Sequence, residues 1–404
     1  MNKPINTDGI FANMLYISLF LFALLNSIII ESQNYILFFA FWFTLNAFVI
    51  QVKLRMIPFF TLYTIFLTIL YYILFRTVYS FRTQVILIIC GSLFYIYKYL
   101  AISSKFNIYR FVIDISILNS LVCFTEVIFS RNIYLELLGL TSYGEVGSGR
   151  VCGITPHPIP CAILALFGFV FSSYLYRVER KNIYLFFIFL NLISILLTQS
   201  RSAYLCLLFI AIVAASKTIR NAKSIKLRHW VISIWLFIFL FIYSWYSIVQ
   251  NGFIYDKIIK RIFSLSDSTS GSLLQRTGSI NFIISYIHEN FLNVSTWIGH
   301  GFDSLLRYLT ANQIYFVVPG YYVVDNQYVT LIYDLGLLNF LILLIFLFSI
   351  FKNIRYADNS VVIDLFVIVL ISVFFFEFTG FIICVLLFPL PFSLIKKGSS
   401  NEHV

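Results

Sequence analysis

An all-α, polytopic transmembrane bundle of about twelve spans is the fold class this sequence predicts, and three observations predict it. Hydrophobic residues make up 60% of its 404 positions and charged residues only 11%, with a mean hydropathy of +0.92; a soluble domain carries roughly 45–50% and 25%. Apolar runs of roughly 17–25 residues, the length that crosses a hydrocarbon core, recur along the chain. Lys and Arg gather in the short links between those runs, as membrane topology requires.

The runs lie near 10–30, 35–52, 57–75, 84–103, 108–128, 159–176, 183–199, 202–216, 229–249, 326–351, 361–378 and 380–395. Residues 361–395 read equally as one span and a re-entrant segment broken at Gly380, because glycine interrupts an apolar run without polar flanks. The first run lacks a small-residue cleavage site and reads as a retained span rather than a signal peptide. With the N-terminus placed in the cytoplasm, eighteen of the 28 Lys and Arg fall on that side, so both termini are expected there. The chain is then a single membrane domain, 1–404, with two long links on the outer side: a first loop at 129–158 and a larger one at 250–325. Long ordered loops are uncommon unless they work. Within the larger one, Ile254, Ile258, Ile259, Ile262 and Phe263 share a helical face. Leu273, Leu274, Ile280, Ile283 and Ile284 do so less regularly, and both stretches are expected to lie over the outer mouth.

A formal charge of +11 does not imply nucleic acid here, since the positive residues sit where topology needs them. The six cysteines form no metal-type array. Cys90, Cys123, Cys206 and Cys384 lie in apolar stretches as inert core residues, while Cys152 and Cys161 share an outer segment where a disulfide would be compatible. No internal repeat is visible, which weighs against transporters built on inverted repeats.

The outer-side cations are the positions that topology does not explain. Arg201 sits in Thr198-Gln199-Ser200-Arg201-Ser202-Ala203-Tyr204 between two apolar runs. It reads either as a snorkelling boundary residue or as a phosphate ligand, with Ser202 opening a helix whose amides face the same anion. Arg276 follows Ser270-Gly271-Ser272 in the large loop and by itself is an ordinary solvated charge. Arg150 and His157 flank the entry to the sixth span, and His157 reads as a loop residue or as part of a polar site there. Gly299-His300-Gly301-Phe302-Asp303-Ser304 is a glycine-rich turn into a helix, too short and degenerate for a nucleotide loop. Asp325, ahead of Asn326, Gln327 and Tyr328, is either a helix cap or a general base at the membrane surface. Asp334, followed by Gly336 in the same apolar helix, and Glu377 are further candidates, because an intramembrane carboxylate is a functional hypothesis by default.

Taken in order, these motifs resemble the O-antigen polymerase and O-antigen ligase family of bacterial membrane glycan transferases. The resemblance rests on Thr198–Tyr204 opening a span, on His157-Pro158 before a span, and on three loop motifs: Arg276-Thr277-Gly278-Ser279, Trp297–Phe302 and Asp325-Asn326-Gln327-Tyr328. It covers roughly 150–350; the first half agrees in hydropathy only. What it implies is glycan transfer from undecaprenyl diphosphate at the outer face of the cytoplasmic membrane. Arg201, Arg276 and Asp325 are then the catalytic set, and Arg150, His157, Ser202, His300, Asn326 and Tyr328 bind substrate. The partners implied are the lipid-linked oligosaccharide and membrane lipids, with room for a chain-length regulator protein. Because the donor is already activated, the chemistry requires no nucleotide, cofactor or metal. Ligases of this kind usually carry histidine where this chain has Asp325, a departure that favours a polymerase over a ligase acting on lipid A–core. From a different class, a flippase for the same lipid-linked sugar would need charges deep in its spans rather than at the rim.

Overall fold

The computed structural model describes residues 7–31, 33–54, 66, 81–102, 108–140, 150–221, 271–355, 360–376 and 381–394. It is 82% helical, without strands among the described residues. Among the described residues, five helices are long and apolar enough to cross a membrane: Asn34–Lys53, Thr83–Ala101, Ile108–Phe129, Pro158–Glu179 and Gln327–Ile345. The expected spans at 57–75 and 229–249, and the amphipathic stretch 253–263, lie outside the described residues.

In chain order the first elements are α1 (Thr7–Leu24), α2 (Asn26–Glu31), α3 (Gln33–Leu54), α4 (Phe81–Ile102), α5 (Ile108–Phe129) and the short α6 (Ile133–Leu137). After them come α7 (Pro158–Glu179), α8 (Ile183–Thr198) and α9 (Arg201–Asn221). Among the described residues of the large loop there are three elements: α10 (Gly271–Glu289), α11 (Val294–Ile298) and α12 (Ser304–Ala311). The chain re-enters the bundle through α13 (Gln327–Arg355), α14 (Ser360–Phe375), α15 (Ile382–Leu387) and α16 (Pro389–Ser393).

One large apolar core runs through α1–α5, α7–α9 and α14–α16. The helices are hydrophobic all round, and Phe38, Phe41, Phe48 and Phe348 face outward, as lipid-facing positions do. Lipid gives helices no hydrophobic reason to associate, so close packing must supply it. Along the seam of α5, α7 and α8 it does: a Cβ at Gly168 would overlap Ser116 Oγ and press on Asn191 Oδ1. Ser116 and Ser194 return their hydroxyls to their own helices at 2.8 and 3.0 Å, while the buried hydroxyls of Ser120 and Ser172 have no hydrogen-bond partner among the described residues. The final element departs from a full span. α15 and α16 break at Phe388-Pro389, and Ile382–Leu387 are wholly buried, with Tyr97 donating to the Leu386 carbonyl at 2.8 Å. This is a segment held within protein, closer to the re-entrant reading than to a twelfth lipid-facing helix.

The bundle's two ends differ in chemistry. At one, Glu179 joins Arg110 (3.2 Å) and Lys181 (2.7 Å). At the other, the described end of the first long loop is folded back into the protein rather than draped over it. Residues 151–156 are buried without helical structure, which a membrane protein tolerates only if every backbone group is met. Here side chains meet them. Glu126 accepts the Cys152 and Gly153 amides at 2.9 and 3.0 Å, Asn119 the Ile154 amide at 3.1 Å, and Asn26 donates to the Ile154 carbonyl at 3.0 Å. All six cysteines are free. Cys161 has its sulfur contact with Cys123, at 3.4 Å, so the Cys152–Cys161 pairing is not formed.

α10–α12 make a cap with a small core of its own: Ile283, Leu305, Leu309, Val324, Val329 and Tyr333. Of the face expected on 273–287, Ile283 is buried and Ile280 packs against this core, but Leu274 and Ile284 point outward. The cap docks through a break in α13. Gly336 takes φ 82°, ψ 165°, which strips the helical partners from the carbonyls of the preceding turn. His300 and Gly301 supply replacements, donating to the Tyr333 and Asp334 carbonyls at 3.3 and 2.9 Å. The Asp334 carboxylate accepts from Asp303 N (2.7 Å), Ser304 Oγ (2.8 Å) and Leu305 N (3.0 Å), capping α12 from another helix. Gly299 (φ 88°, ψ 175°) lies flat against this break, and a Cβ there would overlap the Asp334 carbonyl. Gly299→Ala is therefore expected to undock the cap at a cost of at least about 2 kcal/mol, combining a glycine-only backbone with a steric clash. Faster tryptic cleavage at Arg307 on the exposed side of α12 would register it; unchanged cleavage would mean the dock is not tight.

Candidate functional site

The end of the bundle that carries the buried loop also gathers the predicted cations. α8 ends at Thr198 through Gln199 in a left-handed conformation, Ser200 accepts the Tyr204 amide, and α9 begins at Arg201. The helix thus opens one residue before Ser202, whose buried hydroxyl lies 3.0 Å from that of Ser200. Arg150 reaches the same turn, donating from Nε to the Thr198 carbonyl at 3.2 Å, and Val151 N donates to the Leu197 carbonyl. Arg150 and Arg201 are therefore carried by one local structure: the last turn of α8 and the first of α9.

Arg276 comes to this end from the cap. Its Nη2 donates to the Phe375 carbonyl at 3.0 Å, and its guanidinium lies over the Phe375 ring, 5.0 Å from the centroid. That carbonyl belongs to the last turn of α14, where a cation is favoured. Burial draws the Arg276 guanidinium below its ordinary pKa; Asp325 opposes this, Arg201 adds to it and Tyr321 opposes it. Arg276 thus lies within electrostatic reach of both Arg201 and Asp325.

Asp325 stands just before α13, half-buried. The helix cap is Asn326, whose Oδ1 accepts the Tyr328 amide at 3.0 Å while its own carbonyl accepts Thr330 N. Capping is therefore done by its neighbour. Asp325 instead accepts from Tyr321 Oη at 3.4 Å. Burial raises its pKa above the usual carboxylate value, with Arg276 and Tyr321 holding it down. Such a group is more basic than a solvated aspartate, the property a proton acceptor needs.

His157 caps α7, its Nδ1 accepting the Ile159 amide at 3.1 Å, which leaves the ring proton on Nε2. Burial, reinforced by Arg150, lowers its pKa to about 4, so the ring is neutral near pH 7. Its ring lies 5.5 Å from that of Phe381, which in turn lies 5.4 Å from Phe376. Phe375 and Phe381, in α14 and at the start of α15, thereby contact Arg276 and His157 respectively. Glu377 lies outside the described residues.

Other predicted residues are placed elsewhere. His300 stacks on Tyr333 (4.5 Å), with Nε2 2.9 Å from Tyr286 Oη and Nδ1 3.3 Å from the Tyr333 carbonyl. Both ring nitrogens are thus used inside the cap, and burial lowers its pKa. Tyr328 donates to the Leu370 carbonyl at 3.0 Å, tying α13 to α14. Sequence reasoning missed Tyr321 and Phe375, which no periodicity marks. It also missed Glu126, which the rule applied to Asp334 would have found: a carboxylate inside an apolar run. Among the described residues no group of His, Cys, Asp and Glu could hold a metal ion.

Compared with known proteins, the chain matches no protein-family model and no curated protein. The class defined by fold and site is accordingly an all-helical membrane protein with a docked cap and a cationic, half-buried cluster at one end.

Proposed function

We propose that this protein is a polysaccharide polymerase of the O-antigen type, a glycosyltransferase that moves a growing glycan from undecaprenyl diphosphate onto a lipid-linked repeat unit. The observation that supports it most is the coupling of Arg276 to both Arg201 and Asp325. Two half-buried guanidiniums beside a half-buried carboxylate suit a reaction in which a diphosphate leaves and a hydroxyl must lose its proton. Asp325 takes that proton as the acceptor oxygen attacks the anomeric carbon. The bond from that carbon to the diphosphate oxygen breaks on the opposite face, so configuration inverts. Arg201 and Arg276 neutralise the charge that leaves with the diphosphate, and Arg150 holds the neighbouring turn. His157, neutral with its proton on Nε2, donates to substrate oxygen. Ser202 and Asn326 lie beside Arg201 and Asp325 at the starts of α9 and α13, whereas His300 and Tyr328 act at a distance by holding the cap and by tying α13 to α14. In this reading the chain has about twelve spans in the bacterial inner membrane, both termini are cytoplasmic, and the cap lies outside.

Purified protein given lipid-linked repeat units, with or without lipid A–core, separates the alternatives. Lengthening of glycan without the core acceptor is expected. Strict dependence on the core would make the protein a ligase. Absence of transfer, together with lipid-linked sugar confined to the inner leaflet of a deletion strain, would make it a flippase.

A further inference from the structure

The cap presents a second surface, away from Arg276. Where α10 turns into α11, Phe291, Leu292 and Val294 are 50%, 92% and 70% exposed. Trp297 closes the turn, its indole donating to the Phe291 carbonyl at 2.9 Å and its ring meeting that of Phe291 edge-on at 5.2 Å. Such a cluster would be an aggregation liability in water.

Its height relative to the bundle is fixed by three contacts. A Cβ on Gly336 would overlap the Trp297 carbonyl, so the turn lies beside the break in α13, and the helix beyond that break, which runs to Arg355, is long enough to cross a membrane. Gly301 N donates to the Asp334 carbonyl. Asp303, in the same loop, accepts from Thr83 at 2.9 Å, and Thr83 is the first residue of another apolar span. The turn is therefore level with the ends of membrane-crossing helices. Beyond it along α13 the outward row continues as Leu338, Leu341, Ile342 and Ile345, all exposed. Apolar tip and lipid-facing row form one surface, with an indole at the level where tryptophans gather in membrane proteins.

We propose that the turn Phe291–Trp297 is an interfacial anchor, seated among phospholipid headgroups and upper acyl chains beside α13, so that the cap is held by lipid as well as by the bundle. The anchor is independent of the glycan-transfer reading and stands if that reading fails.

Nitroxide labels at Leu292→Cys and Val294→Cys, in nanodiscs of phosphatidylethanolamine and phosphatidylglycerol, test it. Natural cysteines are buried or, at Cys90, half-buried, so the unsubstituted protein is the labelling control. Both labels should be reached by oxygen and protected from a water-soluble nickel chelate, as a label at Leu338→Cys on α13 is. Nickel access equal to that at Asn312→Cys, on the exposed end of α12, would overturn the anchor. A second reading avoids labels: phospholipids brominated high on the acyl chain should quench natural protein more than Trp297→Phe. Equal quenching of the two would overturn it as well.

Discussion

Arg276→Ala is expected to lower glycan extension by about 10²–10³-fold, the loss found when one preorganised donor to a developing anion is removed. Insertion and yield should hold, because the side chain contributes one carbonyl hydrogen bond and one ring face at the end of α14. Arg276→Lys should recover little. An ammonium keeps the charge, but it cannot bond the Phe375 carbonyl, lie flat on the Phe375 ring and still offer a planar fork to phosphate. Arg201→Ala should fall by a similar factor, and the double variant by less than the product, since the two guanidiniums share one electrostatic environment. Initial rates on lipid-linked repeat units are the measurement. Full activity in both single variants would remove the phosphate role, leaving Arg276 as a tie between cap and bundle.

Much of the bundle was legible because hydropathy reports it directly. The helices Ile108–Phe129 and Pro158–Glu179 coincide with the spans expected at 108–128 and 159–176, whereas the run expected at 10–30 is divided between α1 and α2. Where boundaries depend on packing, the sequence was ambiguous. Residues 382–393 are as apolar as a span, yet Pro389 breaks them and protein surrounds them. The burial of 151–156 was invisible because its partners, Asn26, Asn119 and Glu126, lie on other helices.

The candidate site divides in the same way. Arg201 and Arg150 belong together through a turn that the Thr198–Tyr204 motif announces, whereas the approach of Arg276 depends on a cap whose docking rests on Gly299 and Gly336. These two glycines, 37 positions apart, fit against each other's backbone. The motif around His300 was therefore read correctly as a turn into a helix, but its conformation serves to lock the cap. Asp334 likewise has a role no local pattern shows: its carboxylate organises three donors on the cap. Intramembrane carboxylates invite catalytic readings, and this one is spoken for.

Among the described candidate carboxylates Asp325 is the one left with chemistry to do, and its replacement carries the sharpest test. Asp325→Asn should leave binding of the lipid-linked donor nearly unchanged and depress turnover by about 10²–10⁴-fold, the range for a positioned general base. The pH profile separates this from mere disturbance of the site. A base works only when deprotonated, so the rate must fall as pH drops through its pKa. Burial raises that pKa, which puts the acid limb above the range of a solvated aspartate. Tyr321→Phe removes a hydrogen bond that favours the ionised carboxylate, so the limb should move to higher pH while the plateau rate changes little. Arg276→Gln removes an attractive charge and should move whatever activity survives in the same direction. A role in folding alone would lower the plateau and leave the limb where it was. Wild-type turnover in Asp325→Asn, or a limb indifferent to Tyr321→Phe, would assign the proton to another group.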